Sequence, residues 1–146
     1  NTDAFGFHQS IKPFLNLNHH RALLLGTGGA SKAVAHILEK IGLEVFYISR
    51  TPKGKKTYGY SAINENMISS CKLIVNCTPL GMYPNMNETI VFPHQYLTND
   101  HLVIDLIYNP EQTLFLQNAA EQGSTILNGK TMLQQQALKS WDIWNQ

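Results

Sequence analysis

Gly26-Thr27-Gly28-Gly29-Ala30-Ser31 is the segment of this 146-residue sequence whose residue types say most about chemistry. It follows the apolar run Ala22-Leu23-Leu24-Leu25 and precedes apolar side chains at Ala33, Val34, Ile37, Leu38 and Ile41, a helical period that stops at Gly42. A glycine turn between a strand and a helix suits a pyrophosphate. Gly26 permits a tight exit from the strand, Gly28 lets backbone approach the anion with no Cβ in the way, and Ala30 and Ser31 allow close helix–sheet packing. The helix that starts there aims unpaired N–H groups and its positive dipole end at the anion. Glycine pairs occur in turns of every kind, so the weight rests on the strand–loop–helix context.

A second segment bears on the kind of nucleotide. An NAD site ordinarily offers Asp or Glu about 20 residues past the loop, at the end of the second strand. Here no carboxylate lies between Glu44 and Glu65, and the chain reads Tyr47-Ile48-Ser49-Arg50-Thr51-Pro52-Lys53-Gly54-Lys55-Lys56. Guanidinium and ammonium groups suit a 2′-phosphate, and Arg50 can also stack on adenine. NADP is the expected cofactor, with Arg50 its main contact. At least one of Lys53, Lys55 and Lys56 is expected to be solvated surface charge.

These residues need a scaffold. Thr2 to Lys12, with Phe5, Phe7 and Ile11 apolar and Pro13 as a stop, predicts a short helix. Ala22 to Leu25 predicts a buried parallel strand, and Leu43 to Ile48, Leu73 to Val75, Leu102 to Ile107 and Ile126-Leu127 predict four more. Between them fall the helix after the glycine loop, one or two helical turns at Ile63 to Ser69, a loop from Met82 to Asn99 that coils briefly at Pro93 to Leu97, and a helix from Thr113 to Gln122 closed by Gly123. Lys130 to Trp144 has the apolar spacing of a terminal amphipathic helix. The alternation predicts an α/β fold, a Rossmann-like parallel sheet with helices on both faces plus terminal helices, as one domain over residues 1–146.

Composition sets the outer limits. Lys plus Arg is 11, Asp plus Glu is 10, and 14% of residues are charged against 43% hydrophobic, which argues against a disordered chain and a general nucleic-acid binder. No run approaches the ~18 consecutive apolar residues of a membrane span. The beginning, Asn-Thr-Asp-Ala-Phe-Gly-Phe, has neither an initiating Met nor the pattern of a signal peptide, so the sequence reads as a piece of a longer, cytoplasmic protein. Cys71 and Cys77, with no second pair and no Cys-x-x-His spacing, read as buried free thiols. The six histidines lack metal-ligand spacing, no metal is expected, and His19-His20 are expected to face water.

Several segments together resemble one family. Asn1-Thr2-Asp3 with Gly6, Gly26 to Ser31, Ser49-Arg50-Thr51 and Asn76-Cys77-Thr78-Pro79-Leu80-Gly81-Met82 are similar to the Asn-Thr-Asp-Gly, Gly-Ala-Gly-Gly-Ala, Asn-Arg-Thr and Asn-x-Thr-Pro-x-Gly-Met motifs of shikimate dehydrogenases. Asp105 to Pro110 with Thr113, and Gly129 through Met132-Leu133 to Gln136-Ala137, resemble two further motifs of that family, so the likeness runs nearly the whole chain in order. The resemblance implies the NADP-binding domain of an enzyme interconverting 3-dehydroshikimate and shikimate in chorismate and aromatic amino acid biosynthesis. It also implies an N-terminal substrate domain carrying the catalytic lysine, outside this sequence, so that these residues alone are expected to be inactive.

Carried over position by position, Asp3 resembles the catalytic aspartate, and Tyr108 and Gln136 resemble substrate contacts. Gly26, Thr27, Gly28, Gly29 and Ala30 match the pyrophosphate loop, Ser49, Arg50 and Thr51 the 2′-phosphate site with Lys53 nearby, and Thr78, Leu106 and Gly129 belong to the cofactor positions. Ala4 and Ser49 depart from the family's usual Gly and Asn. Two other readings stay open: a quinate/shikimate dehydrogenase, whose NAD-using members would want an acid after the second strand, and a non-catalytic NADP-binding sensor module. Without the family, Asp3 reads as a helix N-cap, Asp105 as a structural acceptor of loop N–H bonds, Tyr108 as a packed aromatic, Gln136 as surface, and Trp141 and Trp144 as cover for core or for the other domain.

Overall fold

The computed structural model describes residues 2–130. Helix α1 (Thr2–Ile11) buries Phe7 and Ile11, four residues apart and so on one face, and passes into a 3-10 turn at Lys12–Phe14 where Pro13 ends the α-helical bonding. Strand β1 (Arg21–Leu25) is apolar throughout because both its faces are covered. Leu23 and Leu25 enter one core, and Ala22 and Leu24 the other.

Helix α2 (Gly29–Lys40) packs Val34, Ala35 and Leu38 into the second of these cores and ends in a Schellman motif. Leu43 N–H donates to Leu38 O and Gly42 N–H to Glu39 O, with Gly42 at φ +104, a conformation that glycine adopts freely. Strand β2 (Glu44–Ile48) follows, then β3 (Thr57–Tyr58), α3 (Glu65–Ser70), β4 (Leu73–Asn76), β5 (Leu102–Asp105), α4 (Leu114–Glu121) and β6 (Thr125–Leu127). The six strands form one parallel sheet in the order β3-β2-β1-β4-β5-β6.

Three local differences from the sequence expectation have physical causes. The sheet has six strands because Thr57–Tyr58 adds an edge strand to β2, through Tyr47 N–H to Lys56 O and Ser49 N–H to Tyr58 O, and two residues carry no legible period. Strand β5 stops at Asp105 because its carboxylate accepts the Ile107 N–H, an Asx turn that competes with the ladder. His19 is buried rather than facing water, since the Asn16–His19 turn tucks the ring inward, with Asn16 N–H donating to Nδ1. The expected helix beyond Lys130, with Gln136, Trp141 and Trp144, lies outside the described residues.

Candidate functional site

The strand order reverses direction at β1 and β4, where the chain has run outward to β3 and returns to start the other half of the sheet. In open parallel sheets the crevice at the strands' carboxyl ends, at such a switch point, is where ligands bind. The chain places the glycine loop there. Gly26 leaves β1 at φ +106, its N–H bonded to Ile48 O at 2.8 Å, and a Cβ on it would meet Thr78 Cγ2 at 3.1 Å. Glycine at 26 is therefore required by the fold itself.

Gly28 and Gly29 differ. A Cβ on either would meet no protein atom within 4 Å, and Gly28 has an ordinary extended backbone (φ −80, ψ −167). Nothing in the described structure needs glycine at these two positions, whereas close approach of an anion to backbone does. Gly28 is also the N-cap of α2 and supplies no side-chain hydrogen bond, in contrast to Asn64 and Thr113, which cap α3 and α4 through Met67 N–H and Leu116 N–H. The first bond of α2 is Lys32 N–H to Gly28 O, so the earlier N–H groups of Gly29, Ala30 and Ser31 have no partner within the helix. Thr27 to Ala30 are exposed, while Ser31 is buried with its hydroxyl donating to Gly28 O at 2.8 Å.

Beside the loop, a cleft of about 410 Å³ is lined by Ala30, Cys77, Thr78, Pro79, Met82, Tyr83, Leu106, Ile107, Tyr108 and Asn109. One wall is the turn after β4 and the other the turn after β5, and Tyr83 N–H to Asn109 O (2.8 Å) joins them at the rim. Tyr108 is exposed at 52%, so it projects from the cleft mouth instead of packing into core. Gly129 N–H donates to Ile107 O, and a Cβ there would overlap the Leu106 carbonyl; only glycine lets this segment lie against the cleft wall. Cys77 is half-buried, and burial pushes its thiol up to about 12, with Asp105 adding to the shift, which keeps it protonated and unreactive. Cys71 is buried and also free, its thiol raised to about 11 by burial.

At the end of β2, Ser49 is buried and its hydroxyl accepts the Thr51 N–H at 3.2 Å, a turn of the kind an Asn side chain would also close. Arg50, Thr51 and Lys53 are exposed. Lys56 points elsewhere: its ammonium pairs with Glu44 at 3.2 Å, and Glu44 also meets Arg21 at 3.1 Å, at the opposite end of β2 from Arg50. Lysine and arginine hydrogen bonds hold the Glu44 carboxyl below its ordinary value. Asp3 belongs to α1, with its side chain outside the described ones. A buried pair that motif reading passed over as structural, Asn76 with Asp105, underlies both cleft walls. Nothing local marks it, because the two residues are 29 apart and meet only through strand register.

Six parallel strands in this order, with a glycine turn at the switch point, define a Rossmann-type α/β domain. No protein-family model matches the chain. By sequence the chain is homologous to the NADP-dependent shikimate dehydrogenases and spans about half their length. It is 36% identical to the NADP(+)-dependent shikimate dehydrogenase of Desulforamulus reducens, over 99% of this chain and 56% of that protein, and 34% identical to that of Methanococcus aeolicus with the same coverage. The solved shikimate 5-dehydrogenase of Thermus thermophilus in complex with NADP(H) and shikimate superposes at TM-score 0.82 and 30% identity, over 99% of this chain and 56% of the other. Among the described residues no helix is long and apolar enough to cross a membrane.

Proposed function

We propose that this chain is the NADP-binding part of a cytoplasmic oxidoreductase that interconverts shikimate and 3-dehydroshikimate. One observation carries the reading: an uncapped helix N-terminus behind an open glycine loop, with Arg50 exposed nearby and no carboxylate between Glu44 and Glu65. The relatives' names supply the substrate. The backbone of Gly26, Thr27, Gly28, Gly29 and Ala30 holds the pyrophosphate. Ser49 shapes the turn that presents Arg50 and Thr51, with Lys53 beside them, to the 2′-phosphate. Thr78, Leu106 and Gly129 bound the nicotinamide end of the cleft.

Bound at this site, NADPH would supply hydride for the carbonyl carbon, and the carbonyl oxygen would need a proton from a donor within ~3 Å. Asp3 alone is a poor donor, since an unperturbed Asp is ionised at neutral pH. Its role is to orient the reacting hydroxyl beside a lysine outside these residues, while Tyr108 and Gln136 reach the substrate from the cofactor side.

Two measurements test this. Arg50→Ala should weaken NADPH by at least about tenfold and hardly change NADH, because charge-assisted hydrogen bonds are worth ~1.5–3 kcal/mol. Equal losses for both cofactors would refute the phosphate assignment. The 146 residues alone should bind NADPH without oxidising shikimate, and turnover of about 1–10³ per second would place the proton donor among them after all.

A further inference from the structure

Asn76 and Asp105 are register partners at the last residues of β4 and β5, and both are fully buried. Asn76 Nδ2 donates to Asp105 Oδ1 at 3.0 Å. Asn76 Oδ1 accepts twice from Thr78, from its N–H at 3.0 Å and its hydroxyl at 2.7 Å. On the other side Asp105 accepts the Ile107 N–H at 3.1 Å and the Thr113 hydroxyl at 2.7 Å. Thr78 lines one wall of the cleft and Ile107 the other. A single amide–carboxylate pair thus joins the two walls from below.

The chain of bonds also fixes what Thr78 can offer. A threonine hydroxyl has one proton and two lone pairs. Thr78 commits the proton to Asn76, and one lone pair receives the Leu80 N–H at 3.3 Å. One lone pair is left over, so the hydroxyl can only accept. We propose that Asn76 and Asp105 are positioning residues of the cofactor cleft, which lock the Thr78 hydroxyl as an acceptor for a donor group of the dinucleotide, a ribose hydroxyl or the carboxamide NH₂. A phosphate oxygen, having no proton, does not pair with it. The inference rests on the reading of the cleft as an NADP site. Burial raises the Asp105 carboxyl to about 6, opposed by its hydrogen bonds, so it is mostly ionised at neutral pH and accepts from all three donors.

The test is a double-mutant cycle on the 146-residue chain, read by NADPH titration at pH 7.5, well below the melting temperature. Thr78→Val and Asn76→Ala should each weaken NADPH by roughly tenfold, the loss of one neutral hydrogen bond, and the double variant should lose no more than either single. Thr78→Ser, which keeps the hydroxyl, should stay within about threefold of wild type. Should Asn76→Ala fail to fold, Asp105→Asn serves instead: its amide oxygen still accepts from Asn76 Nδ2 and the Ile107 N–H while its NH₂ faces the Thr113 hydroxyl oxygen, so the Asn76–Thr78 bonds are kept and affinity should stay within about threefold. Additive losses in a wild type that binds, or a folded Asp105→Asn variant that loses tenfold, overturn the inference. A wild type that does not bind NADPH overturns the cleft reading along with it.

Discussion

Along the carboxyl edge of the sheet, the β1–β2 side and the β4–β5 side meet a ligand by different means. The first presents backbone with side chains withheld: Thr27 to Ala30 are exposed and a Cβ at Gly28 or Gly29 would touch nothing. Arg50 stands free in solvent beyond them. The second seals a carboxylate and an amide under its loops and exposes only what those groups hold in place. One side is open because an anion is to be met by N–H groups; the other is braced because a cleft between two turns keeps its width only if something spans them. Breaking each side should therefore show up in a different measurement.

The largest effect concerns the brace and its pH dependence. Burial raises Asp105 from 3.8 to about 6, so the folded chain holds this proton more tightly than the unfolded chain. Stability from this group falls as pH rises from about 4 to 6 and stays lowered above that, by roughly 3 kcal/mol in all. Neutral buried His19, His94 and His101, lowered by burial, run the opposite way, because the unfolded chain binds their protons first as pH falls. The group to isolate has no charged partner among the described residues; Cys77, protonated, is the titratable side chain beside it. The measurement is the difference between wild type and Asp105→Asn in urea unfolding. It should shift towards the variant by about 3 kcal/mol between pH 4 and 7, and parallel pH curves would contradict the buried-carboxylate reading.

How far each side was legible in the sequence follows from the same contrast. The glycine loop, the basic turn and the strand–helix alternation are local patterns, and the parallel sheet they predict is the one observed. The brace is not local. Asn76 and Asp105 look like strand-end polar residues until the β4–β5 register sets them opposite each other. Edge strand β3 and the inward turn of His19 were lost for the same reason, since short segments take their structure from neighbours distant in sequence. Asp105 was expected to accept loop N–H bonds, and it does, from Ile107; its partner Asn76 entered as the first residue of the Asn76 to Met82 motif, with no sign of what it bonds.

Glycine substitutions sharpen the comparison at an intermediate scale. Gly129→Ala puts a methyl into the Leu106 carbonyl and forces backbone apart on the braced side. Such overpacking costs about 2–3 kcal/mol, or roughly 5–12 °C in Tm for a chain of this size. Gly28→Ala, on the open side, meets no protein atom and should cost less than about 1 kcal/mol, the difference between Gly and Ala as N-caps. It should nonetheless weaken NADPH by tenfold or more, since the methyl stands where the pyrophosphate approaches. Calorimetry paired with cofactor titration separates the two, and a Gly28→Ala chain that binds NADPH normally would remove the reason for glycine there.

The smallest effect is expected at Lys56, and it asks whether the open side is a patch of positive charge or a directed site. If net charge alone held the 2′-phosphate, each lysine of the Lys53 to Lys56 run would contribute alike through long-range attraction. The structure separates them. Lys56 has φ +57 and lies over the Phe46 ring at 5.6 Å with its ammonium on Glu44, the first residue of β2, whereas Arg50 lies just beyond Ser49 at that strand's other end. Its charge is thus already matched by an acid and directed away from the cleft. Lys56→Ala should leave NADPH affinity within about twofold, while Lys53→Ala should produce a larger, salt-sensitive loss that still falls short of Arg50→Ala. Titrations at low and physiological salt decide the matter: equal losses for Lys53→Ala and Lys56→Ala, both vanishing with salt, would mean that the basic turn attracts the cofactor as a diffuse field and that Arg50 has no special place in it.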